Sequence, residues 1–356
     1  MRGFVGVGLL ALGVVLALAA APGNAMSFGP TAPPAVDFVP ASAAAQALTL
    51  TKVTSAKSMA GLAKVAIGQF QVEYVTESLG LTRKQRNQTT VTYHIATPLP
   101  DTSLQAQTDR LYAGFVAQLT AAGYEVVPRE TVHAAAAWAG LAAIAKPSAV
   151  EVKTESGRGR LMNAFGDPYY YAVADPHLGS LGSMTWGFAM GVVKEEKLAT
   201  ELGAAIVDVR LVVGFKETDR HSDMFALLRS GSSFVGSPKL VAQALATQIT
   251  VTPPGGRGPG SVALTSDLMF AEDVLAENMQ METSGAQQAS NVAAKGLFAA
   301  RVLGGLVPGV GMLGAMKLDT AYKVACSPSE TGYFAAVDSN LSAVTAMMVT
   351  RLVAAR

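Results

Sequence analysis

The sequence predicts an α/β (α+β) fold, a mixed sheet with long antiparallel hairpins flanked by helices. Three observations predict it. Residues 64–76 and 204–217 alternate apolar and polar side chains, the period of a half-buried strand. Residues 102–122 place Leu104, Leu111, Phe115 and Leu119 on one helical face. That helix then runs through a single glycine, Gly123, into the short strand Tyr124–Val127, the connection that lays a helix on a sheet.

In chain order, Met1–Ala25 reads as a secretory signal peptide. Arg2 gives a positive start, Phe4–Ala21 is apolar, and Ala21–Ala25 offers a small-residue processing site. An uncleaved anchor is the competing reading, and the processing site favours cleavage. No cysteine stands at that site, so a bacterial lipid anchor is not supported. Met26–Ala45 is expected as a flexible lead-in, 46–270 as the α/β domain, and 271–356 as a mainly helical, glycine-rich extension packed on it. The sole cysteine, Cys326, allows no intramolecular disulfide and is expected to be buried. The chain carries 27 basic residues, one of them Arg2, against 26 acidic. A mature chain near zero charge argues against a nucleic-acid partner.

Val65 and Ile67 alternate with Lys64 and Ala66. Phe70, Val72 and Tyr74 then alternate with Gln69, Gln71 and Glu73. The apolar set changes phase at Gly68–Gln69, which is how a β-bulge looks in sequence. The charged loop Thr82–Asn87 leads to a second alternating stretch, Thr89–Thr97, so an antiparallel hairpin is expected. Thr102-Ser103-Leu104-Gln105 fits a capping box at the start of the helix, and Gly123 fits a left-handed C-cap at its end.

Further along, Thr131–Ala145 is expected to be helical and Val150–Gly166 to be a loop. Asp167–Ala174 reads as a strand carrying Tyr169, Tyr170 and Tyr171. Lys194–Leu202 reads as a short amphipathic helix closed by Gly203. Ala204–Glu217 sets Val207, Val209, Leu211, Val213 and Phe215 on one face, with Asp208 and Arg210 opposite, expected on the sheet surface and paired with each other or with neighbouring strands. Lys239–Thr252 and Ser261–Leu268, joined by the Pro253–Gly260 tip, form a second hairpin. Ala271–Ala294 reads as polar and partly helical. Leu297–Met316 is near membrane-spanning length, but Arg301, Pro308 and five glycines count against a simple span. Ser339–Arg356 reads as a terminal helix.

Lys64-Val65-Ala66-Ile67-Gly68-Gln69-Phe70, the helix ending Leu119-Thr120-Ala121-Ala122-Gly123-Tyr124-Glu125-Val126-Val127, and Ala204–Phe215 as a later central strand resemble the α/β core of the curli-secretion CsgG-type and TolB N-terminal-type envelope proteins. The resemblance implies assembly or interaction in the cell envelope and no catalysis. The sequence departs from CsgG-type proteins in lacking the acylated cysteine, which bears on anchoring and channel formation.

Candidate sites are few. Tyr169 and Tyr171 on one strand face, with Trp186 in the following glycine-rich stretch, are candidates for an aromatic ligand platform. Asp219, His221 and Asp223, with Asp175 and His177 as further candidates, are the best candidates for a metal; carboxylate and imidazole suit a divalent ion, although the spacing is not a recognised ligand set. Gly309–Gly314 matches a dinucleotide fingerprint in letters but lacks the preceding strand. No cofactor is expected. The sequence therefore points to an exported envelope protein, periplasmic or outer-membrane associated, with a binding or assembly role. Its partner would be another protein or a second copy. The alternatives are a metal-assisted hydrolase and an oligomeric, membrane-associated pore component.

Overall fold

The computed structural model describes residues 33–84, 87–154, 157–170, 186–217, 238–244, 246–275, 278–282 and 319–356. All of these lie in one compact unit, Pro33–Arg356. Its helices and its large sheet of mixed parallel and antiparallel strands make it an α/β protein.

The sheet is built around β3 (Lys64–Lys84) and β8 (Ala205–Glu217), which run parallel from Val65↔Ala205 to Tyr74↔Val213. Their register shifts between Ile67 and Gln69, so the bulge falls where the phase change placed it. Gly68 is required there. A Cβ at this position would sit 2.6 Å from Ile206 Cγ2 and 2.7 Å from Asp208 Oδ1. The bulge keeps Phe70, Val72 and Tyr74 on the same face as Val65 and Ile67 despite the extra residue.

That face packs against α2 (Asp101–Ala121) and α6 (Glu330–Ala354). Leu104, Leu111, Phe115 and Leu119 of α2 are all buried, each contributing about 1.5–3 kcal/mol. Gly123 ends α2 at φ +82°. The capping box does not form. The N-cap is Pro100 and makes no side-chain cap, and the Gln105 amide instead donates to Asp109 and to the Asn163 carbonyl. The chain enters the helix two residues earlier than a Thr102 cap needs.

The opposite face carries α3 (Arg129–Ala134), α4 (Ala136–Ala142) and α5 (Trp186–Leu202). The expected single helix over 131–145 breaks at Ala135, whose extended ψ of 137° separates α3 from α4. Glu201 of α5 then accepts from the Ala136 and Ala137 amides that the break exposes, at 2.7 and 2.8 Å.

Residues 150–166, expected as a loop, instead form the hairpin β6 (Val150–Thr154) and β7 (Gly157–Asn163), with β7 antiparallel to β3. Its glycines mark close approach, not a turn. A Cβ at Gly159 would lie 2.9 Å from the Tyr74 carbonyl oxygen. β5 (Glu125–Val127) runs parallel to the start of β3.

The expected strand 239–252 divides into β9 (Pro238–Ala242) and β10 (Gln248–Thr252), both antiparallel to β8. Between them Thr247 folds back to Gln243, and its hydroxyl oxygen accepts from the Val212 amide at 3.1 Å. β10 pairs β11 (Gly260–Leu264), which pairs β2 (Thr51–Thr54). β9 pairs β12 (Asp267–Met269), beside β1 (Ala35–Asp37). β1 and α1 (Ala43–Leu50) bring part of the expected lead-in into the body.

The C-terminal residues supply strands as well as a helix. β14 (Asp319–Cys326) lies parallel to β4 (Asn87–Ile95) and antiparallel to β13 (Met279–Glu282). Cys326 is fully buried. Leu297–Met316 lies outside the described residues. No helix among the described residues is long and apolar enough to cross a membrane.

Candidate functional site

Central strands covered by helices on both faces normally read as apolar throughout. Here the face beneath α5 is polar. On β3, Gln69, Gln71 and Glu73 alternate with the apolar set. On β8, Asp208 and Arg210 do the same. Register places Gln69 beside Asp208 and Gln71 beside Arg210, with Thr250 of β10 on the other side of Asp208. None of these five side chains on β3 and β8 is more than 6% exposed. Asp208 and Arg210, expected on the surface, are therefore buried, and of the two pairings open to them, with each other or with a neighbouring strand, Arg210 makes the second. Arg210 Nη2 donates to Glu73 Oε2 at 2.8 Å, from strand to strand.

Gln69 organises the next part. Its Oε1 accepts from Gln71 Nε2 at 2.8 Å and from the Tyr170 backbone amide at 3.0 Å. This draws Tyr170 against the sheet beside Gly68, where its hydroxyl and Asp208 flank the bulge. α5 descends over the same point and delivers Glu195, whose Oε2 accepts from Thr252 Oγ1 at 3.0 Å. Glu195 is fully buried and stands beside Asp208. Burial, and after it the Asp208 charge, holds the Glu195 carboxyl well above the usual range. Burial raises Asp208 to about 6, opposed by its hydrogen-bond contacts with Glu195 and Gln69. Tyr170 is raised as well, by burial and then by Glu195.

A cleft opens at this point, lined by Gln69, Gln71, Tyr169, Tyr170, Asp208 and Arg210. It has room for about one water molecule. The arrangement suits storage of a proton or a buried water; it is too small for an organic substrate.

A second cluster anchors the segment that brings Tyr170 in. Arg129 Nε donates to Asp167 Oδ2 at 2.8 Å, and His133 Nε2 lies 3.4 Å from the same oxygen. The His133 ring stacks on Trp138 at 4.4 Å, and Trp138 meets Tyr170 edge-on at 6.2 Å. Burial lowers the His133 pKa, with Asp167 opposing. Phe165, at φ +55°, lies under the Arg129 guanidinium at 4.9 Å.

Of the residues expected to bind a ligand, Tyr169 is 5% exposed and bridges Lys146 through its backbone, so little of its ring is presented. Trp186 opens α5, and its side chain is outside the described set. Tyr171, Asp219, His221, Asp223, Asp175, His177 and the Gly309–Gly314 match lie outside the described residues. Among the described residues, no group of three or more His, Cys, Asp or Glu side chains is placed to hold a metal.

Glu195, Glu73, Gln69, Gln71 and Thr252 were not singled out from sequence. The available signal was polar alternation on β3 and β8 together: two central strands with acids and amides in step form a buried network once both faces are covered. Comparison with known protein families, with curated proteins and with solved structures finds no match.

Proposed function

We propose that this is an exported cell-envelope protein that acts by assembly, not catalysis, and that a second copy of the chain is its first partner. One observation carries the reading. β3 pairs β8 as far as Tyr74 and β7 as far as Ser78, but Leu79–Lys84 pair only with β4 among the described residues. Six residues at strand rise extend about 20 Å as an arm. Among the described residues, one side of that arm is β3 with no strand against it, and the other carries β14 on β4. An open strand edge is a template for pairing. Pairing of this edge with the same edge of a second copy gives a two-fold dimer, and pairing with the far edge of the sheet gives a ring or a filament. The signal-peptide pattern and the resemblance to envelope proteins support the same reading.

The test is light scattering on the chain beginning at Met26, across a range of concentrations. Ladder pairs alternate in bonding. Counting back from Lys84↔Asn87, the Leu81 amide points to the open side. Leu81→Pro removes that donor at a position where an edge strand tolerates proline. A defined oligomer that Leu81→Pro dissociates is the expected result. A monomer at all concentrations, or an oligomer indifferent to Leu81→Pro, refutes it.

A further inference from the structure

Among the described residues, the seam between α5 and the sheet holds more acid than base. Arg210 is committed to Glu73, and Asp167, nearer the surface, to Arg129. β10 contributes only the neutral Thr250 and Thr252. On α5 itself, Lys194 extends toward Gly140 of α4, and Glu196 toward Gly256 at the hairpin tip. That leaves Glu195 and Asp208 facing each other, with the Tyr170 hydroxyl beside them. Asp208 Oδ1 and Oδ2, Glu195 Oε1 and Tyr170 Oη are buried with no well-formed hydrogen bond, although Gln69 and the Tyr170 hydroxyl lie close by; two ionised carboxylates, which only accept, cannot bond to each other. Two adjacent carboxylates out of water cannot both stay charged.

We infer that Glu195 and Asp208 hold a single proton between them, and that this proton is the ligand that keeps α5 seated on the sheet. Carried on Glu195, it is donated to Asp208, and the orphaned oxygens become a satisfied acid–carboxylate pair. Loss of the proton leaves two buried like charges, and the route to relief is for α5 to lift and let water in. Because Glu201 of the same helix holds the start of α4, the release carries to α4. The seam is thus a pH-sensitive latch, separate from the strand edge proposed for assembly.

The test uses the full mature chain and two readings. Infrared spectroscopy at neutral pH is expected to show a protonated-carboxyl band that Glu195→Gln abolishes. Hydrogen exchange of the α5 amides, corrected for the chemical exchange rate, is expected to accelerate with pH. Above about pH 6, where Asp208 has lost its own proton, the closed pair keeps one proton and the open form none. The opening constant should then rise about tenfold per pH unit until the pair titrates. In Glu195→Gln the amide donates at every pH, and the slope should vanish. Absence of the band at neutral pH, or an equal slope in wild type and variant, overturns the inference. Should Glu195→Gln fail to fold, the wild type alone carries the test: absence of the band at neutral pH, or an α5 opening constant that does not rise with pH, overturns the inference.

Discussion

Arg210→Met is the sharpest probe of the buried seam. The wild-type guanidinium is 5% exposed and donates to Glu73, itself 2% exposed, at 2.8 Å. Removing one member of such a pair strands a charge in a medium that cannot solvate it, at a cost of about 3–5 kcal/mol. For a body of about 320 residues, an unfolding entropy of about 2.1 cal/mol/K per residue gives about 0.7 kcal/mol/K. The expected fall in the midpoint of thermal unfolding is therefore about 4–7 °C. Deprived of the guanidinium, Glu73 has an escape, which is to take up a proton. Its folded pKa then lies above its unfolded one, so the native state binds more protons than the unfolded chain. Stability of the variant falls as pH rises through that window, and the deficit is smallest in acid. Adding Glu73→Gln removes the stranded charge and should recover most of the loss and flatten the pH slope. Calorimetry on the four proteins of this cycle, at acid and neutral pH, reads both effects. A neutral Arg210→Met, or a double variant no better than the single at neutral pH, would show that the pair is not what balances this part of the seam.

Gly68→Ala forces a methyl into contact with Ile206, Asp208 and Tyr170; a loss of about 1–3 kcal/mol is expected in urea unfolding, and an unchanged midpoint would count against the bulge geometry. Cys326 is fully buried and its thiol is pushed up to about 11 by burial. It should resist alkylation in the native protein and react on denaturation, and fast native labelling would show that the β14–α6 junction opens readily.

Much of the framework was legible because it rests on local physics. The phase change at Gly68, the buried face of α2, the left-handed glycines 123 and 203 and the terminal helix all follow from period and backbone conformation. What failed was non-local. Gly157 and Gly159 looked like loop punctuation because nothing in their neighbourhood says that β3 passes against them. Thr102 matched a cap by spacing, but the helix begins before it. The seam was half visible. Asp208 and Arg210 stood out on their strand, yet alternation reports only that a face is polar, not whether a helix covers it. Glu195, in the run Lys194-Glu195-Glu196-Lys197, is indistinguishable by local pattern from a solvated helix residue, and only the placement of α5 over the bulge makes it a core acid.

The insertion of β14 beside β4 has a consequence in time. Its partners, Gln88 and Asp319, stand about 230 positions apart, and the Gly61 amide bonds the carbonyl of the last residue, Arg356. Closing contacts of that span is slow, because loop-closure entropy is spent before the pairing returns it. The sheet thus cannot be completed on a partial chain. While the chain is incomplete, β4 presents an unfinished edge, which closes when β14 arrives to cover it.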